Sequence, residues 1–403
     1  MSHPVYVQAM SCVSALGEEA GVMRAQLFAA RYPGTLTLTD AYSAGSKLPL
    51  GCLPRTVSLA DLSHVAPRLR SRNNALALTV AQNLRAPLTQ AIDRFGPTRI
   101  AVLVGTSTSG LSEGQLAASS LRRDGRFPDE FDYAIQEMGN VAEFLAQELR
   151  ISGPAYVIST ACSSSAKALA SAARLISSGL VDAVVAGGVD ALCSFTVAGF
   201  NALESIAATP CNPSSVNRCG INLGEGGAFF LLSREPGPIR LAGWGESQDA
   251  YHISGPHPDG TGAIAAMRQA LNKAGVDAEA IDYVNMHGTA TLQNDAMEHR
   301  AINAVLGGAV WASSTKPITG HTLAAAGAVE AAIAWHVLTD NREGKLPVHW
   351  WDGQVDPDLP EIRLVTPETL LGREPQYVLS NSFAFGGSNV SLLFAANRTE
   401  DCG

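Results

Sequence analysis

The residues most able to do chemistry begin at Cys162, in the stretch Tyr156-Val-Ile-Ser-Thr-Ala-Cys162-Ser-Ser-Ser-Ala166. Residues 155–160 predict a strand, and the Ala- and Leu-rich segment from Ala166 predicts a helix. Cys162 falls at the joint, among the small residues Ala161, Ser163, Ser164 and Ser165. A thiol there faces free N–H groups and the positive end of a helix dipole, which together lower its pKa and favour the thiolate. The logic is that of a hydrolase nucleophile elbow, with sulfur in place of oxygen. A free Cys is also commonly an inert packing residue, so the nucleophile reading depends on what the rest of the chain brings to it.

Three later features fall just after predicted strands, where α/β proteins place function. They are His287 in Asn-Met-His-Gly-Thr-Ala-Thr291, His321 in Lys316-Pro-Ile-Thr-Gly-His-Thr-Leu, and the Gly-rich run Phe383-Ala-Phe-Gly-Gly-Ser-Asn389. Each His alone is more often structural. Together with a thiol they form a rarer set. Imidazoles help a Cys become a thiolate that attacks a thioester. Their N–H groups also stabilise negative charge developing on a carbonyl oxygen. Gly386 and Gly387 allow close backbone approach, and N–H groups of that loop can form an oxyanion hole.

The elements around these residues must supply rigid strand ends. Arg99–Gly105 and Ala183–Val189 read as strands covered on both faces, and further strands are expected at 5–10, 228–232, 239–243, 281–286, 311–316, 377–381 and 390–395. Helical patterns separate them at 18–29, from Asn74 onward, at 131–150, 262–274 and 323–339, so the class is α/β. The rhythm occurs twice, at 1–235 and again at 236–403, without a clear residue-level repeat. Residues 31–65, rich in Pro, Gly, Ser and Thr, read as surface connection.

Composition narrows the classes further. The chain has 403 residues, 46% hydrophobic and 16% charged, which indicates a well-buried globular protein. A net charge of −9 argues against nucleic acid as the main partner. The seven Cys show neither a disulfide framework nor zinc-ligand spacing, so no metal is expected. The N-terminus lacks the pattern of a signal peptide, and the apolar run 323–338 contains Glu330 and His336, so neither a leader nor a membrane span is expected and the cytoplasm is the default location.

Taken in order, Thr-Ala-Cys162-Ser-Ser, His287-Gly-Thr-Ala-Thr, Ser-Thr-Lys316-Pro-Ile-Thr-Gly-His321, Ala-Ala-Gly-Ala-Val-Glu330 and Asn381-Ser-Phe-Ala-Phe-Gly-Gly-Ser-Asn389 resemble the Cys-His-His β-ketoacyl-acyl-carrier-protein synthases over nearly the whole chain. The resemblance implies the thiolase fold, with two duplicated α/β halves in α-β-α-β-α layers. It implies that Cys162 carries the acyl group, and that His287 and His321 serve decarboxylation of a malonyl extender. The enolate then attacks the acyl-Cys to give a β-ketoacyl product. By the same resemblance Lys316 and Glu330 form a buried supporting pair. The N–H groups of Cys162 and Phe385 form the oxyanion hole, Phe383 and Phe385 gate the site with Gly386 and Gly387, and Thr289 and Thr291 contact a pantetheine arm. No cofactor is bound, because phosphopantetheine comes with the acyl carrier protein. The expected partners are that carrier and a second subunit, in a homodimer or in a heterodimer with a chain-length-factor-like homologue.

Against the alternatives, the C-terminal Gly-rich loop lacks a thiolase's second Cys, and His321 stands where a type III synthase has Asn. A non-catalytic chain-length factor would lack the active Cys. Ala384, Ala324 and the loop Asn217-Arg-Cys-Gly-Ile-Asn-Leu-Gly-Glu225 depart from the bulk fatty-acid pattern and lean toward a secondary-metabolite or polyene-type synthase. Ala384 is expected to stiffen the gate, and the 217–225 loop to alter the acyl pocket. Arg68, Arg70 and Arg72, with Arg122 and Arg123, are candidates for docking an acidic carrier.

Overall fold

The computed structural model describes residues 4–43 and 45–398. The first half contains β1 (Tyr6–Val13), α1 (Ala20–Leu27), β2 (Thr37–Thr39), β3 (Leu48–Leu50), α2 (Arg72–Gln82), α3 (Arg85–Phe95), β4 (Ile100–Gly105), α4 (Leu111–Asp124), α5 (Asn140–Glu148), β5 (Ala155–Ile158), α6 (Ser164–Ser177), β6 (Ala183–Asp190), α7 (Ser194–Ala202) and β7 (Gly226–Ser233). The second contains β8 (Ile239–Gln248), α8 (Thr261–Ala274), β9 (Tyr283–Asn285), α9 (Leu292–Leu306), β10 (Trp311–Ser313), α10 (Lys316–Thr319), α11 (Ala326–Leu338), β11 (Arg363–Leu364), β12 (Tyr377–Ala384) and β13 (Ser388–Ala396).

The duplication is visible in strand order. The first half runs β5-β4-β6-β7-β1, the second β10-β9-β12-β13-β8 with β11 added at its edge. In both halves two parallel pairings are followed by two antiparallel ones. β1 and β8 join the halves through only two pairs, Tyr6↔Arg240 and Val7↔Ile239.

Alternation along the strands builds the layers. Val184 and Ala186 of β6 and Phe230 and Leu232 of β7 face a central core with α6 and α11. Val185, Phe229 and Leu231 face an outer core with α2 and α5. On the other side α8 and α9 cover Val284 and Leu393. Every residue of α11 except Trp335 is buried, which accounts for its continuous apolar sequence. Among the described residues no helix is long and apolar enough to cross a membrane.

Glycine permits the central contact. A Cβ on Gly105 would lie 2.3 Å from the N of Ser165, and one on Gly188 2.5 Å from the Cβ of Ser165. The start of α6 therefore sits directly on the ends of β4 and β6.

Two expectations need correction. Residues 131–150 are not one helix: a 3-10 turn, Tyr133–Gln136, is capped by Asp132, and α5 starts only after Gly139. Local hydrogen bonding by Asp132 competes with helix continuation there. Nor is 31–65 only surface connection, since β2 and β3 pair and Leu48 and Leu50 are buried.

Candidate active site

Cys162 sits in a tight turn between β5 and α6. Ala161 has a φ of 51°, uncommon for a residue with a side chain. The Ser164 hydroxyl holds the turn, donating to the Ala161 carbonyl at 2.6 Å and accepting from the Thr160 N–H at 2.8 Å. The elbow is thus fixed by the serines that crowd the sequence at this point.

The thiol is buried, and burial pushes its pKa up to about 11. Lys316 and the backbone N–H groups of Phe385 and of Cys162 itself, which point to Sγ, pull it down, while Glu330 pushes it up. The expected lowering of the thiol pKa is therefore overturned, because desolvation outweighs the helix-start donors. The resting group is a neutral thiol, and activation requires a base. His321 Nε2 lies 3.0 Å from Sγ, within reach of the thiol proton.

Both imidazoles are held through their backbones. His321 donates its N–H to the Asn222 carbonyl at 2.6 Å, and its carbonyl accepts from the Gly224 N–H at 2.9 Å. The 217–225 loop thus positions His321, a role beyond the pocket lining expected of it. The His287 and Gly288 N–H groups donate to the two oxygens of Glu298 at 2.8 and 2.7 Å. Lys316 Nζ bonds the His287 carbonyl and the Glu330 carboxylate, and both charged side chains are buried. The imidazole rings meet edge to face with centroids 5.4 Å apart. Burial lowers both pKa values well below 6.5, and the Lys316 charge lowers them further.

Glu298 was missed in the sequence. Its signal was an Asp295-x-x-Glu298 pair at helical spacing in α9, both buried with almost no exposure. Burial pushes the Glu298 carboxyl up to about 7, against the two N–H groups it receives.

Donor atoms of Cys162, His287 and His321 all lie within 4.8 Å of one another. This is a soft donor set by type, but the buried Lys316 ammonium beside it opposes a dication.

The Phe383–Asn389 loop follows the imidazoles along the cavity. Gly386 and Gly387 have φ of 79° and 80°, and a Cβ on Gly387 would lie 2.8 Å from that of Asp249. The Gly386 N–H donates to the Ile253 carbonyl at 2.7 Å, tying this loop to the 249–257 loop. The Phe385 ring lies 5.8 Å from Phe200, and the Phe383 ring 6.3 Å from His287. Ala384 ends β12 with φ −101° and ψ 156°, ordinary extended backbone that needs no glycine. Cys162, both His, Thr289, Thr291 and the two Phe line one cavity of about 390 Å³. The Thr289 and Thr291 hydroxyls are 3.0 Å apart on its wall.

The arginine candidates lie elsewhere, and none of the five lines the cavity. Arg68 pairs with Glu143 at 2.6 Å, Arg70 bonds the Val65 and Ser63 carbonyls, and Arg123 pairs with its neighbour Asp124. Arg72 turns inward to Glu225 at 2.7 Å, whose side chain is only 2% exposed. That contact withdraws Arg72 from the docking candidates. Arg72→Ala strands a buried carboxylate, so a loss of about 3 kcal/mol is expected. Denaturant unfolding measures this, and an unchanged midpoint would assign Arg72 back to the surface.

A hydrogen-bonded thiol–imidazole pair with a second neutral imidazole, held on a duplicated α/β fold, defines a thiolase-fold condensing enzyme. Residues 68–236 match the beta-ketoacyl synthase N-terminal domain, and residues 239–345 its C-terminal domain. The chain belongs to the β-ketoacyl synthase family and is an acyltransferase of the condensing type. It is 35% identical over 334 residues to 3-oxoacyl-[acyl-carrier-protein] synthase 2 of Vibrio cholerae, covering 75% of this chain and 77% of that protein. It is 35% identical over 314 residues to Nodulation protein E of Rhizobium meliloti, covering 75% of each. Among solved structures it resembles the ketosynthase ApeO in complex with its chain length factor ApeC from Xenorhabdus doucetiae, at 41% identity over 98% of both chains with a TM-score of 0.92.

Proposed function

We propose that this protein is the catalytic ketosynthase that condenses an acyl group on Cys162 with a malonyl unit delivered by acyl carrier protein. The observation that carries the reading is convergence on one sulfur of His321 Nε2 and of two backbone N–H groups. Sγ gives its proton to His321 as it attacks the incoming acyl thioester. The Cys162 and Phe385 N–H groups hold the oxyanion, and the pantetheine thiolate leaves, taking the proton. In the second stage His287 and His321 donate to the malonyl thioester oxygen while CO2 departs. The enolate attacks the acyl-Cys162 carbonyl, and the tetrahedral adduct collapses to β-ketoacyl carrier and the Cys162 thiolate, which takes up a proton from solvent to restore the resting thiol. Lys316 and Glu330 keep the His287 backbone in place, and Thr289 and Thr291 take the pantetheine arm. No bound cofactor enters these steps. The N-terminal half, 1–235, supplies the thiol, and the C-terminal half, 236–403, the imidazoles and gate. The free thiols of Cys12, Cys162, Cys193 and Cys211 suit a reducing cytoplasm.

Mass spectrometry of the acyl adduct retained on Cys162 in a His287→Ala background tests this reading and reports the chain carried. An adduct on another residue would refute it.

The two imidazoles act as neutral donors. Their pKa values lie well below 6.5 in the fold, so neither gains a proton as pH falls from 8 to 6. Malonyl decarboxylation is expected to stay flat across that window. An inflection near 6.5 would show that one imidazole works as the cation.

The chain is 41% identical to a ketosynthase solved in complex with a chain length factor, against 34% and 35% to the two proteins named 3-oxoacyl-[acyl-carrier-protein] synthase 2. We therefore read it as the active half of such a heterodimer in secondary-metabolite synthesis, with homodimerisation as the alternative that co-purification and size exclusion separate. A panel of acyl carriers that showed flat preference for saturated chains would count against the secondary-metabolite reading. Arg68, Arg70, Arg122 and Arg123 remain the docking candidates, acting mainly on encounter. Arg68→Glu is expected to raise KM for the carrier several-fold at low salt, and an unchanged KM there would remove Arg68.

A further inference from the structure

Asp190 ends β6 without touching the cavity, and it is fully buried. Its carboxylate accepts six hydrogen bonds. Five come from the turn after β4: the Thr106 hydroxyl at 2.8 Å, the Ser107 N–H and hydroxyl at 2.8 and 2.6 Å, and the Thr108 N–H and hydroxyl at 3.0 and 2.8 Å. The sixth is the Ala324 N–H at 2.7 Å, three residues beyond His321. Leu323, immediately before that donor, has a φ of 52°, a conformation that persists only where its surroundings enforce it.

His321 is therefore pinned on both sides, by Asn222 and Gly224 at its own backbone and by Asp190 just downstream. The 106–108 turn that Asp190 also grips follows Gly105, on which the start of α6 rests. One carboxylate thus ties the segment that supports Cys162 to the segment that carries its imidazole partner. Without it the Ala324 N–H loses its acceptor, and Leu323 is free to leave the left-handed region.

We propose that Asp190 is a positioning residue that holds His321 Nε2 against the Cys162 thiol by clamping the Ala324 N–H to the 106–108 turn. The proposal deepens the thiol–imidazole reading above and rests on it.

The test is the rate of iodoacetamide alkylation of Cys162 from pH 6 to 9, read by peptide mass so that the exposed Cys219 is counted separately, together with kcat and KM for acyl transfer. Asp190→Asn places an amide N–H2 toward one of the two donor groups. It is expected to slow Cys162 alkylation at pH 7 roughly tenfold or more and to move its pH profile, since small misplacements of a reacting pair are costly. kcat falls while KM holds, because the cavity wall is unchanged. Thr106→Val removes a donor only from Oδ1, the oxygen that does not hold the Ala324 N–H, so it is expected to lower the melting temperature yet keep the wild-type profile. A folded Asp190→Asn protein with wild-type alkylation and kcat would overturn the proposal. So would a Thr106→Val protein that loses as much reactivity for the same fall in melting temperature. If Asp190→Asn does not fold, Asp190→Glu decides: it keeps the charge and displaces the oxygens, and a wild-type profile there also overturns the clamp. Resistance of wild-type Cys162 to alkylation would instead bring down the nucleophile reading itself.

Discussion

Cys162→Ala is expected to abolish condensation, by about a thousandfold or more, since loss of a covalent nucleophile removes the route that divides the reaction into two easier steps. No neighbouring group substitutes. Cys219 lines the same cavity but is exposed at its wall, whereas the hydrogen bond from a thiol to His321 belongs to Cys162. The two converging N–H groups are likewise aimed at this sulfur. Both imidazoles survive the substitution, so the variant should still decarboxylate a malonyl thioester while forming no acyl-enzyme. Intact-protein mass after incubation with an acyl thioester, alongside a CO2-release assay, separates the two activities. Wild-type condensation by the Ala variant would sink the assignment outright.

His287→Ala carries the second large effect. Its imidazole is neutral, because burial and the adjacent Lys316 ammonium disfavour a proton, and in the proposed mechanism it is an N–H donor to the enolate oxygen. Loss of one such donor is expected to slow decarboxylation by about a hundred- to a thousandfold. The geometry distinguishes the two imidazoles. Only His321 is hydrogen-bonded to the sulfur, so His321→Ala should slow both acyl transfer and decarboxylation, while His287→Ala should spare acyl transfer. Pre-steady-state acylation of Cys162, measured against CO2 release, reads the difference. Equal losses in both steps for His287→Ala would show that the imidazoles act as one unit.

Much of the site was legible because its chemistry is written in short local motifs. The joint at Cys162 is a strand-to-helix change visible in four or five residues, and the loops of His287, His321 and Gly386-Gly387 follow strands that periodicity finds. The state of the thiol was not legible. Local context, a helix start with free N–H groups, argued for a lowered pKa, but the burial that raises it to about 11 comes from elements distant in sequence. Arg72 was misjudged for a related reason. Its neighbours Arg68 and Arg70 suggested a charged face, whereas its partner Glu225 lies more than 150 residues away. Glu298 and Asp190 were overlooked because an acidic residue in a helix or at a strand end looks ordinary until its donors are known.

The sequence by itself determined the class of fold, most of the strands along the chain, and the short motifs that carry the thiol, the two imidazoles and the Gly-Gly loop, since each depends on residue type and near-neighbour spacing. Tertiary structure decided the rest. The twofold repetition of strand order became visible only in the pairing, because backbone hydrogen bonds preserve topology after side chains have diverged. The 3.0 Å approach of His321 to Cys162 joins residues 159 positions apart. Gly105 and Gly188 leave room for Ser165 at the start of α6, and Asp190 bonds both the turn after β4 and the Ala324 N–H beyond His321. Desolvation then sets the protonation of Cys162, His287 and His321, and no spacing rule along the chain encodes it.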